Sequence, residues 1–215
     1  MLFSTNEQLE KLSWLKENSE SFSNTRLKSQ KFLFFYEMFS GLEKDEYNTS
    51  YLRAYMNGPV YSNVYGDMRY SEVDLNKKIA EIDDYSSVDV DIANATKYLL
   101  DLFNEKELSE LTHSFDLWSS KKNRIKANEK QISINEEDIS ERDKMKLHNL
   151  LKRYQKISKL DIDILNVQNK IFVISKEDKK EMKPEHDEVL EILSQDEELE
   201  NPVYLSLKDG VLLVD

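Results

Sequence analysis

Apolar residues recur at three- and four-residue intervals along most of the chain, and only short stretches near residue 55 and beyond residue 160 change to strand-like patterning. Leu9, Leu12 and Leu15 follow Ser4 and Thr5, either of which can cap a helix, with Glu7 and Glu10 near its positive end; this helix is expected to reach Asn18. A second helix is expected over 25–42. It contains the block Lys31-Phe32-Leu33-Phe34-Phe35-Tyr36-Glu37-Met38-Phe39, apolar almost all round, as a central buried helix is and a surface helix is not.

Tyr51 to Met56 reads as a short extended segment, stopped by the turn chemistry of Asn57-Gly58-Pro59. A helix can start at Pro59, because the first helical position needs no N–H, and would carry Val60, Val64 and Tyr65 inward. Asp89 or Asp91 caps a helix with Ile92, Ala95, Leu99 and Leu102 on one stripe, and 105–113 continues after a break at Asn104. Residues 119–131 read as a polar, locally basic connection, after which Asn135-Glu136-Glu137-Asp138 starts a helix through Met145, Leu147, Leu150, Leu151 and Tyr154. From Ile162 the pattern changes: a strand over 170–175, a short amphipathic helix over 184–193, and a hairpin of 203–207 with 211–214 around Lys208-Asp209-Gly210. The expected fold class is therefore mainly α: a compact helical domain over 1–158 and a small α+β strand–helix–hairpin segment over 159–215.

Composition narrows the function classes. Across 215 residues, 42 Asp+Glu against 30 Lys+Arg give a formal charge of −12, which disfavours binding to a nucleic-acid backbone. Residues 161–215 carry 15 acidic and 6 basic side chains, so most of the negative field belongs to the last quarter. The absence of cysteine excludes disulfides, thiolate metal sites and a cysteine nucleophile, and suits a reducing cytoplasm. The longest apolar run is the five residues Phe32 to Tyr36, far short of the roughly 20 that span a bilayer, and the N-terminus lacks signal-peptide patterning. Neither a membrane nor an export route is expected.

Candidate catalytic chemistry is sparse. His113, His148 and His186 are scattered, and no Gly-rich loop or spaced-carboxylate loop is present. Glu185-His186-Asp187-Glu188 reads as a solvated acidic helix rather than a metal site, and the pairs Asp161/Asp163 and Asp89/Asp91 as surface charge. No catalytic residue, metal or cofactor is assigned. Lys121-Lys122-Asn123-Arg124-Ile125-Lys126 reads as a solvated connection or as a patch for an acidic partner.

Three segments in order carry a more specific signal: Lys31-Phe32-Leu33-Phe34-Phe35-Tyr36; Tyr55-Met56-Asn57-Gly58-Pro59-Val60-Tyr61-Ser62-Asn63-Val64-Tyr65; and Leu111-Thr112-His113-Ser114-Phe115-Asp116-Leu117-Trp118. Together they resemble the Panacea domain family, the SocA-like, phage-associated group, over roughly 5–155. The family pattern is a lysine-plus-aromatic helix, a Gly-Pro-Val turn with a following Tyr, and a Leu-Thr-His element ending in Trp. The chain departs from it at Phe115-Asp116-Leu117 and in its acidic tail. The resemblance implies a helical, non-enzymatic antitoxin that neutralises a cognate protein toxin by direct contact. It also admits an adaptor delivering a client to a protease, or a phage-associated regulatory interaction module. The expected partner-binding residues are Tyr55, Asn57, Gly58, Pro59, Val60, Tyr65, Thr112, His113 and Trp118. From the residues alone, Gly58-Pro59 also reads as a structural turn, Thr112 and His113 as caps or cross-core hydrogen-bonding groups, and Trp118 as core. A helix-turn-helix regulator is disfavoured by the charge and by the buried character of the second helix.

Overall fold

Cap chemistry starts the first helices where the sequence places them. In the computed structural model, which describes residues 1–19 and 25–215, Thr5 caps α1 (Asn6–Asn18): its hydroxyl accepts from the Gln8 N–H at 3.2 Å while Gln8 Oε1 accepts from the Thr5 N–H at 3.0 Å. Thr25 caps α2 (Arg26–Lys44) from one side only, its hydroxyl accepting from the Lys28 N–H. The chain divides into two compact units, one spanning residues 1–100 and 105–158, the other 101–104 and 159–215.

In the N-terminal unit α2 is central, with Phe32, Leu33, Phe34, Phe35 and Phe39 wholly buried. After it come β1 (Leu52–Tyr55), β2 (Gly58–Tyr61), α3 (Ser62–Tyr70), α4 (Glu72–Ala80), α5 (Val90–Asp101), α6 (Glu105–His113), α7 (Asp116–Ser119), α8 (Lys122–Lys126), β3 (Ile132–Ser133) and α9 (Glu141–Ile157). The strands form an antiparallel sheet of order β2-β1-β3, so β2 is an edge. Buried carboxylates pin the chain between elements. Asp67 on α3 accepts from the N–H of Phe3 and of Ser4 at 2.8 and 2.7 Å, and Asp143 on α9 accepts from the N–H of Asp116 and Leu117 at 2.7 and 2.9 Å, capping α7.

The C-terminal unit is a sheet of order β4-β5-β6-β7, built from β4 (Ile162–Val167), β5 (Lys170–Ser175), β6 (Val203–Lys208) and β7 (Val211–Val214). α10 (Lys176–Glu181) and α11 (Pro184–Ser194) make the crossover that lets β6 run parallel to β5. Phe172, Ile174, Leu190, Val203 and Leu205 are its core.

The mainly α expectation does not hold: 56% helix and 15% strand in two sheets make a mixed α+β fold, and the N-terminal unit has a sheet of its own. The errors have identifiable causes. Pro59 does not begin a helix; β1 offers an open ladder that takes Gly58–Tyr61 as its partner, Ala54 opposite Pro59, and the helix starts only at Ser62. An edge strand tolerates the missing proline N–H. Residues 136–138 form a separate 3-10 turn, because Ser140 caps α9 two residues later. The strand β4 was hidden by its carboxylates: Asp163 pairs with Lys179 at 3.4 Å, and Asp161, just before it, with Lys176 at 3.5 Å.

Candidate functional site

A lysine placed in a helix buried all round has nowhere to go but inward. Lys31, 1% exposed, donates to the Asn57 carbonyl and to Thr112 Oγ1, both at 2.7 Å. Thr112 passes its own hydroxyl proton back to the Leu108 and Ser109 carbonyls of α6 at 3.1 and 3.0 Å. Among the described residues no carboxylate lies within ion-pair distance of Lys31, and burial holds its amine down at about 7, against 10.5 in water.

This link decides the turn between β1 and β2. Gly58 takes φ +110°, and a Cβ there would stand 2.2 Å from Lys31 Nζ and 2.5 Å from Thr112 Oγ1, so only glycine lets the turn close on the ammonium. Two further contacts fix the hairpin. Trp118 Nε1–H donates to the Tyr55 carbonyl at 2.8 Å, and Gln30 Oε1 accepts from the Tyr61 N–H at 2.9 Å. His113 stacks on Trp118, ring centroids 3.7 Å apart and 16° from parallel, and its Nε2 reaches no partner among the described residues. Burial and then the Lys31 ammonium hold the imidazole below its ordinary value, with the Met56 backbone opposing them, so it stays neutral at pH 7.

The hairpin, α2 and α3 border a half-open cavity of about 330 Å³ lined by Arg26, Leu27, Gln30, Lys31, Tyr55, Met56, Asn57, Pro59, Val60 and Tyr65. Tyr55 and Tyr65 contact each other across it at 5.6 Å between ring centroids, and Met56 at its lip is 61% exposed. Five of the nine residues expected to bind a partner therefore line one cavity: Tyr55, Asn57, Pro59, Val60 and Tyr65. Gly58, Thr112 and Trp118 are buried and hold it in shape, and His113 is half-buried beside Trp118. Arg26, Gln30 and Met56 went unmarked in the sequence. In the sequence Lys31 stands out only as part of an aromatic helix, although a lysine within such a block is itself a sign of a buried amine.

The other candidate features resolve as structure. Lys121 pairs with Asp138 and Arg124 with Glu129, so two of the four cations of the basic run have local carboxylate partners. His186 is not a solvated helix residue: its Nδ1 accepts from the Lys183 N–H at 2.9 Å and its Nε2–H donates to the Gly210 carbonyl at 3.0 Å, joining α11 to the β6–β7 turn. Among the described residues no group of three His, Asp or Glu is placed to hold a metal ion, and no helix is long and apolar enough to cross a membrane. Compared with known proteins, the chain matches no family model, no curated protein and no solved structure.

Proposed function

We propose that this protein is a cytoplasmic, non-enzymatic antitoxin of the Panacea type, and that it masks a cognate toxin by seating part of it in the cavity between α2, the β1–β2 hairpin and α3. The observation that carries the reading is that cavity: tyrosine, methionine and arginine, side chains enriched where proteins bind one another, converge on an opening with an exposed Met56 at its lip. Its walls are prepared before binding, because Lys31, Gln30 and Trp118 each hold a backbone carbonyl or N–H of the hairpin, which lowers the ordering cost of association. The acidic surface suits a basic toxin and would speed encounter.

The test is co-expression with the product of the adjacent reading frame. Tyr65→Ala and Asn57→Ala should each weaken binding by about 1–3 kcal/mol and reduce rescue of growth while melting stays close to the parent. If variants that melt normally bind and neutralise as the parent does, the cavity is not the partner surface. A shortened toxin lifetime on adding this protein, with a protease present, would move the reading to a proteolytic adaptor.

A further inference from the structure

The charge inside the cavity is opposite to that of the protein around it. We infer that the partner segment seated here carries a glutamate or aspartate side chain next to an apolar residue, with the carboxylate meeting Lys31 and the apolar group lying against Tyr55 and Tyr65. The inference rests on the cavity being the partner-binding face.

Four observations converge on it. Among the described residues, Arg26 and Lys31 are the charged ones lining the cavity and no carboxylate lines it, in a chain of formal charge −12. Lys31 Nζ spends two of its N–H groups on Asn57 and Thr112, which leaves the third of the ammonium without an acceptor among the described residues. A buried ammonium without an anion is costly, and a carboxylate brought by the partner removes that cost. Arg26 stands half-exposed at 2.9 Å from Glu72, a surface pair that exchanges readily.

The donors that face the cavity also favour a side chain over a chain terminus. Terminal carboxylates are captured by clusters of backbone N–H groups, whereas here the Tyr61 N–H is already taken by Gln30 and the lining cations are side chains, Arg26 half-exposed and Lys31 1% exposed. The apolar requirement comes from the remaining lining, Leu27, Val60, Pro59 and the two tyrosine rings.

Binding of such a segment must also move a proton. Among the described residues, Arg26 on its own helix, Tyr55 on β1 and Tyr65 on α3 share the cavity lining with Lys31, and His113 on α6 interacts electrostatically with it; none is a carboxylate. Burial holds the amine far below its ordinary value, so pairing with a carboxylate, which favours the ammonium, draws protons in near pH 7.

The experiment uses the full chain and three synthetic peptide sets. The first is acetylated, amidated octapeptides with a fixed Glu beside a Phe or Leu. The second has Gln for Glu. The third is the Gln set with free C-terminal carboxylates. Binders from the first set are expected to lose at least tenfold in affinity on the Glu-to-Gln exchange. Their binding should take up protons at pH 7, read by calorimetry in two buffers of different ionisation enthalpy, and that uptake should vanish in Lys31→Met. Arg26→Gln, a half-exposed position, should weaken the same peptides several-fold, so the assignment is tested even where Lys31→Met does not fold. Equal binding of the Glu and Gln sets overturns the carboxylate while leaving the cavity as a partner surface. Binding confined to the free-ended set assigns a chain terminus instead and overturns the side chain. No binding by any set at about 1 mM also overturns the inference. Loss of the cavity as partner surface is a separate result, read from toxin binding by the Tyr65 and Asn57 variants.

Discussion

Buried polar groups serve different ends in the two units. In the N-terminal unit they reach across long stretches of chain: Lys31 to Asn57 and Thr112, Gln30 to Tyr61, Asp67 to Phe3 and Ser4, and Lys11 to Glu37 at 2.7 Å with both side chains nearly dry. In the C-terminal unit the sheet ladder and a small apolar cluster do most of the work, and His186 is one polar link, from α11 to the β6–β7 turn. Apolar contacts are forgiving of shape, whereas a buried ammonium or carboxylate tolerates one arrangement of acceptors or donors. The unit that presents the cavity is thus the one in which buried charged side chains fix backbone segments distant in sequence.

That contrast can be broken most severely at Gly58. Gly58→Ala forces a Cβ against Lys31 Nζ at a positive φ and should cost on the order of 5 kcal/mol, seen as a lost or sharply lowered cooperative melt. Glu37→Ala leaves Lys11 buried with the exposed Glu7 at 3.7 Å and the Tyr36 ring face in place of its close carboxylate, for an expected loss of about 3 kcal/mol in denaturant unfolding. His186→Ala is milder at about 2 kcal/mol, since it orphans one N–H and one carbonyl; amide exchange should rise first at Lys183 and around the β6–β7 turn.

The pH dependence sharpens the comparison further. Lys31 is depressed in the folded state, so between about 7 and its unfolded value near 10.5 the unfolded chain holds more protons and stability rises with pH, by up to about 1.4 kcal/mol per unit. Tyr36, pushed up to about 12 chiefly by burial, and Tyr61, raised by burial and then by Glu37, act the other way only above pH 10. Urea unfolding between pH 7 and 9.5 should therefore show a rise that Lys31→Met flattens. The smallest stability effect is expected at Tyr65→Ala, about 1 kcal/mol for the ring contact with Tyr55, against a larger loss of partner affinity.

Much of the scaffold was legible in the chain. The Thr5 and Thr25 caps, the all-round apolar pattern of Phe32 to Phe39 and the hairpin around Asp209-Gly210 are local signals, and local hydrogen bonds and burial realise them. Tyr55, Asn57, Val60 and Tyr65 are marked through the family resemblance of a run of adjacent residues, and the structure sets them around one cavity.

What the chain could not reveal lies at long range. Pro59 has the chemistry of a helix start and becomes a strand because β1 stands beside it, and Asp163 reads as surface charge within a strand that only its pairing with β5 defines. Lys31 and Thr112 are 81 positions apart, and nothing in either neighbourhood announces that one ammonium joins them to Asn57 beneath a glycine. The amino-acid order alone set the capped starts of α1 and α2, the charge and the absence of thiol chemistry, since these depend on neighbours or on composition. The cavity, its positive lining and the perturbed amine were decided by tertiary structure, because desolvation and hydrogen-bond geometry exist only once distant segments have closed around the group.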